Sequence, residues 1–170
     1  MAITMKPNIF ILMGVAAVGK TTLGKALAEA TQGSFYDGDD FHSVGNREKM
    51  TAGIALTDAD REDWLREIAS LISERSKLSD PTFIACSALK QSYREILYSA
   101  DSSLIFLFLT ADPETLRQRL TARLESGEHF MPPSLLDSQL ATLEPPADAL
   151  ELDSSKSISE LVSLVWKNHL

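Results

Sequence analysis

The chain has 170 residues, 44% of them hydrophobic and 24% charged, and it carries a formal net charge of −8 with a pI near 4.8. That length most simply makes one domain, 1–170, with a substantial core, and the acidic balance argues against a nucleic-acid binder while leaving room for a small anion held by local Lys and Arg residues. The lone cysteine, Cys86, excludes an intrachain disulfide and fits a reduced, cytoplasmic setting.

Asn8 to Met13 reads as a buried strand: short, apolar and flanked by breakers. The apolar run up to Val18 is too short to cross a bilayer, and Gly14 and Lys20 have no job in a secretory signal. Leu23, Ala26, Leu27 and Ala30 predict a helix from about Lys20 to Thr31, followed by a short strand at "SFYD" (34–37). Trp64, Leu65, Ile68, Leu71 and Ile72 mark an amphipathic helix after Thr57-Asp58. A strand "TFIACS" (82–87) and a helix "SYREILYS" (92–99) come next. "SLIFLFLT" (103–110) is the most apolar stretch and predicts a central strand covered on both faces.

Asp112-Pro113 caps and starts another helix, and Pro132-Pro133 opens one that runs to about Leu143. "ALELD" (149–153) is a last strand. Ser157 and Glu160 then form a capping box for a final helix with the core stripe Ile158, Leu161, Val162, Val165 and Trp166. Strands that alternate with helices predict an α/β fold, a parallel sheet with helices on both faces.

"GVAAVGKT" matches Gly-x-x-x-x-Gly-Lys-Ser/Thr at residues 14–21 and has the required context of a strand before and a helix after. Gly14 and Gly19 let the backbone curl so that the amides across Val15, Ala16, Ala17 and Val18 surround phosphate oxygens. Lys20 supplies charge to the β- and γ-phosphates, Thr21 offers a hydroxyl to magnesium, and the helix behind, with Thr22 in its first turn, adds its positive end.

A phosphate loop does not name a reaction, because switches, motors and kinases all use one. Three further segments narrow it. "YDGDDF" (36–41) puts carboxylates at a strand end beside the loop, where they either serve magnesium and an acceptor hydroxyl or form a solvated acidic turn. Arg119 and Arg123 lie four apart on one helix face and lead through Ser126-Gly127 to Pro132-Pro133. That is the layout of a mobile lid over about 124–132, or of a plain basic helix facing solvent. "CSALKQSYRE" (86–95) brings Ser87, Lys90 and Arg94 toward the sheet edge where open α/β folds bind ligands.

The chain resembles the gluconokinase family, small P-loop carbohydrate kinases related to shikimate and adenylate kinases. The resemblance covers nearly the whole chain and is carried by "LMGVAAVGKTT", "DGDDFH", "NREKMTAGIALTDADREDWL", "CSALKQSYR" and "HFMPPSLLDSQLATLEPP". It implies a P-loop NTPase three-layer sandwich with five parallel strands and a mobile lid, commonly dimeric. It also implies Mg-ATP-dependent phosphorylation of D-gluconate to 6-phosphogluconate.

By the same resemblance, Lys20 and the loop amides hold the phosphates, Thr21 and Asp37 serve magnesium, and Asp39 takes the proton of the sugar's terminal hydroxyl. Arg119 stacks on adenine and Arg123 neutralises the transferring phosphoryl. A polyol carboxylate needs one cation and several hydrogen-bonding groups; the candidates are Asp39, His42, Asn46, Lys49, Arg61, Lys90, Arg94 and His129. His169 is expected to serve the last helix's dipole. Cys86 and the two tryptophans, Trp64 and Trp166, are expected to pack.

The chain departs from the family in two places. Ala17 stands where members often carry Gly and is strained if that position needs positive φ, and "LESGE" (124–128) looks longer than the usual lid tip. The alternatives are a shikimate- or nucleoside monophosphate-type kinase and a non-catalytic ATP-binding module. A nucleotide acceptor would call for more arginines around a second phosphate. Asp37, Asp39 and the two arginines argue against a module without turnover.

Overall fold

A computed structural model describes residues 7–127 and 131–170. Five strands, β1 (Ile9–Met13), β2 (Ser34–Asp37), β3 (Thr82–Ala85), β4 (Ile105–Thr110) and β5 (Leu150–Asp153), pair in parallel in the order β2-β3-β1-β4-β5. The helices are α1 (Lys20–Thr31), α2 (Val44–Thr51), α3 (Asp58–Arg75), α4 (Gln91–Ala100), α5 (Pro113–Glu125), α6 (Ser134–Thr142) and α7 (Ile158–His169).

The pleat of β1 sends alternate side chains to opposite faces. Phe10 and Leu12 pack with Leu23 and Leu27 of α1, Leu116 of α5, Leu136 of α6, and Leu161 and Val165 of α7. Ile9, Ile11 and Met13 pack on the other face with Trp64, Leu65, Ile68 and Ile72 of α3 and with Tyr93 and Leu97 of α4. Each such buried side chain contributes about 1.5–3 kcal/mol of transfer free energy. The three-layer sandwich expected from the strand–helix alternation is the result. Start signals hold the helices in place: capping boxes at Thr57/Asp60 and Ser157/Glu160, and the Asp112 side chain accepting from the Thr115 amide with Pro113 at the first turn.

After β1 the chain crosses through α1 on one face to reach β2, whereas after β3 it crosses through α4 on the other face to reach β4. Connections that diverge from neighbouring strands open a crevice beyond their carboxyl ends. The register brings Leu12, Ala85 and Asp37 level across β1, β3 and β2, so the phosphate loop and the acidic turn face one another there.

Several local expectations are corrected. Extension does not persist to Asp39: β2 stops at Asp37, and Gly38–Phe41 forms a 3-10 turn in which the Asp39 amide donates to Asp37 Oδ1 at 3.1 Å. The turn holds Gly38 so close to β3 that a Cβ there would lie 2.2 Å from the Ala85 carbonyl oxygen, which leaves room only for glycine. β3 ends at Ala85 rather than Ser87, because the chain turns at Ala88 (φ 44°).

α2 had no expected counterpart. Among its eight residues only Asn46 and Met50 are buried, too few for a periodic stripe, and its start rests on Ser43 accepting from the Asn46 amide. Finally, Trp166 is 50% exposed. The stripe of α7 runs Ile158, Leu161, Val165, His169 at helical spacing and leaves Trp166 at its margin, so His169 meets the Phe10 ring edge-on at 6.4 Å. His169 lies in the last turn of α7 as expected, and burial lowers its pKa, which opposes the charged form there.

Gly38→Ala should cost about 1–3 kcal/mol through overpacking, lowering the melting temperature by roughly 3–10 °C. A thermal melt checks this, and an unchanged midpoint would mean that the acidic turn is free to shift.

Candidate active site

A cavity of about 350 Å³ opens at the crevice. Its floor is the phosphate loop. Gly14 (φ 137°) and Gly19 (φ 106°) occupy backbone regions that side chains avoid, and a Cβ at Gly14 would lie 2.7 Å from the Leu109 carbonyl oxygen. The side chains of Val15 and Val18 are buried in the core, so only their backbone faces a ligand. Ala17 has φ 63°, the left-handed conformation that costs a residue with a Cβ about 1–2 kcal/mol. Two side chains grip this stretch. Gln139 Oε1 accepts from the Ala16 amide at 2.7 Å, and Arg119 Nη1 donates to the Ala17 carbonyl at 3.2 Å.

Lys20 Nζ bends over the loop and donates to the carbonyls of Gly14 at 3.0 Å and Val15 at 2.9 Å. Burial pushes its pKa down, and the charge of Asp39 opposes that push most strongly. Thr21 Oγ1 donates to Asp37 Oδ2 at 3.0 Å. A hydroxyl and a carboxylate side by side, with Thr22 next to them on the cavity wall, are oxygen donors that fit a hard cation keeping several waters and phosphate ligands.

Asp39 reaches the cavity from the 3-10 turn. Desolvation pushes its pKa up and Lys20 opposes this; 53% of the side chain stays accessible through the open mouth, which softens the shift. His42 is buried, stacks on Trp64 with ring centroids 4.3 Å apart, and has Nε2 4.0 Å from Asp39 Oδ1. Its Nδ1 is buried with no hydrogen-bond partner among the described residues. Burial first, then the charges of Arg61 and Arg47, push the His42 pKa down to about 4, so the ring is neutral near pH 7.

Arg61 also lines the cavity. Its Nη1 donates to the Leu56 carbonyl at 2.8 Å and the Tyr93 hydroxyl at 3.1 Å, while Nη2 and Nε make no hydrogen bond among the described residues. Tyr93 in turn donates to Asp58, which Lys90 pairs at 2.8 Å. Arg123, in the last turn of α5, lines the opposite wall.

Several sequence candidates lie elsewhere. Lys49 pairs with Asp60 at 2.8 Å and Lys90 with Asp58, and neither lines the cavity. Arg94 is 2% exposed and donates to the carbonyls of Ala88, Leu89 and Glu144, so it ties α4 to neighbouring loops instead of facing a ligand. Asn46 donates to the Asp60 carbonyl at 2.6 Å. In this structure all four bond other parts of the chain. Arg119 spends its guanidinium edge on Ala17 and Ser154, which leaves only its face for a base. His129 lies outside the described residues, as does part of the expected lid; α5 continues to Glu125, with Gly127 at φ 76° beyond it.

Cys86 is buried and burial pushes its thiol up to about 12, which makes it inert packing. Trp64, expected only to pack, also forms cavity wall and donates Nε1 to the Gly38 carbonyl at 2.7 Å. Sequence reading gave no role to Gln139, although it lies within the quoted "SQLATLEPP" segment.

The shikimate kinase family model matches residues 16–141. A gluconokinase of Gluconobacter oxydans (strain 621H) is 43% identical over 144 residues, covering 85% of this chain and 79% of that protein. The crystal structure of a gluconokinase from Sinorhizobium meliloti 1021 superposes with a TM-score of 0.78 at 36% identity, covering 96% of this chain and 98% of that one. An unliganded sugar kinase from Janibacter sp. HTCC2649 superposes with a TM-score of 0.86 at 39% identity, covering 96% and 95%.

Between pH 6.5 and about 4 the unfolded chain takes up a proton at His42 that the folded chain refuses. The stability this supplies is complete above pH 6.5 and is lost as pH falls toward 4, amounting to about 3 kcal/mol or roughly 6–12 °C in melting temperature. His42→Gln should remove that part of the pH dependence. Thermal melts of both proteins at pH 7 and pH 4.5 check this, and parallel pH profiles would show that His42 is not held neutral.

Proposed function

The chain belongs to the gluconokinase family, within the shikimate kinase-like P-loop kinases, and from that premise we infer that it is an ATP-dependent phosphotransferase acting on D-gluconate to give 6-phospho-D-gluconate. The observation that carries the acceptor reading is the cavity itself. A phosphate loop forms one end, a carboxylate of raised pKa stands beside it, and a guanidinium with an open edge lines the same space.

In-line phosphoryl transfer needs positioning and charge neutralisation more than covalent chemistry. Lys20 leaves the carbonyls of Gly14 and Val15 for the β- and γ-phosphates, and the loop amides from Ala17 to Thr21 hold the same oxygens. Thr21 and Asp37 would hold Mg²⁺, Asp37 through water; the ion supplies neutralisation of the phosphate oxygens. Arg123 faces the charge that develops on the transferring group, and Arg119 offers its guanidinium face to adenine.

Asp39 aligns the terminal hydroxyl of gluconate and accepts its proton late in the step; its raised pKa suits it to this work. His42, neutral and with an unpartnered Nδ1, bonds a sugar hydroxyl. Arg61 takes the carboxylate through Nη2 and Nε, since Tyr93 and Leu56 already hold its Nη1. A cytoplasmic location, a dimeric state and a lid over 124–132 rest on the resemblance and, for the location, on the single reduced cysteine.

A second reading is favoured by the family model's own description: shikimate too joins a carboxylate to hydroxyls. ADP release measured with gluconate, shikimate and AMP separates the readings, and the expected outcome is turnover with gluconate alone. Lys20→Ala should abolish turnover while the melt stays intact; near-normal turnover would mean that the loop does not hold ATP. Asp39→Asn should lower turnover about 10²–10⁴-fold with ATP affinity little changed. Calorimetry checks the second half, and a large loss of ATP affinity would move Asp39 to the magnesium side. Arg61→Ala should raise the KM for gluconate by more than tenfold and leave that for ATP alone; equal effects on both would take Arg61 off the carboxylate.

A further inference from the structure

Phosphotransfer leaves Gln139, a polar side chain of the cavity, without a job. Gln139 sits on α6, a helix anchored in the core by Leu135 and Leu136, and its Oε1 accepts from the Ala16 amide at 2.7 Å. The orientation of its carboxamide follows from that bond, since only the oxygen can accept from an N–H, and its Nε2 turns toward Met131 Sδ at 3.5 Å. The next residue of the loop is Ala17, in the left-handed conformation at φ 63°. A residue with a Cβ stays there only where its surroundings over-determine it. Here two side chains hold the chain around it, Gln139 on the Ala16 amide, one peptide removed from the turn, and Arg119 on the Ala17 carbonyl itself.

We propose that Gln139 is a positioning residue that holds the left-handed turn of the phosphate loop at Ala17 in its anion-binding shape from α6. Without that bond Ala17 relaxes toward ordinary negative φ. The amides that follow it, Val18 and Gly19, then rotate away from the phosphate oxygens they should meet. The role belongs to Gln139 because of what stands at residue 17: a glycine there would rest at positive φ without a clamp. The inference rests on the loop holding phosphates and is independent of which acceptor the enzyme uses.

The test is a double-mutant cycle on nucleotide binding. The affinity for Mg-ADP is measured by calorimetry for the parent protein, Gln139→Leu, Ala17→Gly and the double variant, each with a thermal melt. Gln139→Leu should weaken Mg-ADP about tenfold, equivalent to about 1.4 kcal/mol, while the same change in the Ala17→Gly background should cost less than threefold. A tenfold loss in both backgrounds would overturn the proposal, since Gln139 would then act without regard to the Ala17 turn. Unchanged affinity in Gln139→Leu would overturn it as well. Gln139→Ala removes the same acceptor with less bulk and repeats the cycle if the leucine variant fails to fold. Because ADP alone is the probe, a wrong acceptor assignment would leave these outcomes unaffected.

Discussion

Three strands must end level for this site to exist. Leu12, Ala85 and Asp37 are in register across β1, β3 and β2, and a slip of one residue would flip every side chain to the other face of the sheet. The level ending lets Thr21, one residue into α1, reach Asp37 at 3.0 Å. It also brings backbones so close that side chains are excluded at Gly14 against Leu109 and at Gly38 against Ala85. The Gly14 amide donates to the Ser87 carbonyl at 3.2 Å, and the Cys86 amide to Leu12 at 3.0 Å, stitching the loop after β1 to the loop after β3. The cavity is the space these contacts leave between diverging crossovers.

Within that space an acidic protein gathers cations. Lys20, Arg61 and Arg123 line the same cavity although the net charge is −8. A buried charge is tolerable only when paired or hydrogen-bonded, and each end of the cavity meets this differently. Lys20 rests on the carbonyls of Gly14 and Val15. Arg61 is held from behind by Tyr93 and Leu56, with Asp58 and Lys90 extending the network outward. Asp39 feels both the burial that raises its pKa and the Lys20 charge that lowers it. His42 is kept neutral by burial and by the arginines near it, so it offers the cavity hydrogen bonding and not charge.

Strain enters the same frame at one residue. Ala17 keeps a backbone conformation that its side chain disfavours, and the side chains that hold it come from two helices more than a hundred residues further along the chain, α5 and α6. The phosphate loop is therefore a product of the whole sandwich as well as of its own glycines, a distribution of cost between a functional turn and its supports that is common at active sites.

By itself the sequence determined what depends on local order. The apolar runs at 8–13 and 103–110 read as a buried strand and a doubly covered one, the Ser157/Glu160 box reads as a helix start, and "GVAAVGKT" sets the phosphate loop between a strand and a helix. Asp37 and Asp39 could be singled out as carboxylates at a strand end and His42 as following them, whereas Arg61 was a candidate only after the family resemblance. What only the tertiary structure decided is which polar groups face the ligand space. Arg94 and Lys90 follow β3 as closely as Ser87 does, yet Arg94 folds back on its own loop and Lys90 turns out to Asp58. Trp64 belongs to a core stripe and still walls the cavity, because α3 passes behind the acidic turn. Gln139 has no local signature at all: its partner, the Ala16 amide, is 123 positions away, and only the packing of α6 beside the loop brings the two together. Periodicity reads the burial of a face within one element, whereas the direction of a polar side chain depends on acceptors that arrive from other elements, and their arrival is set by the sheet.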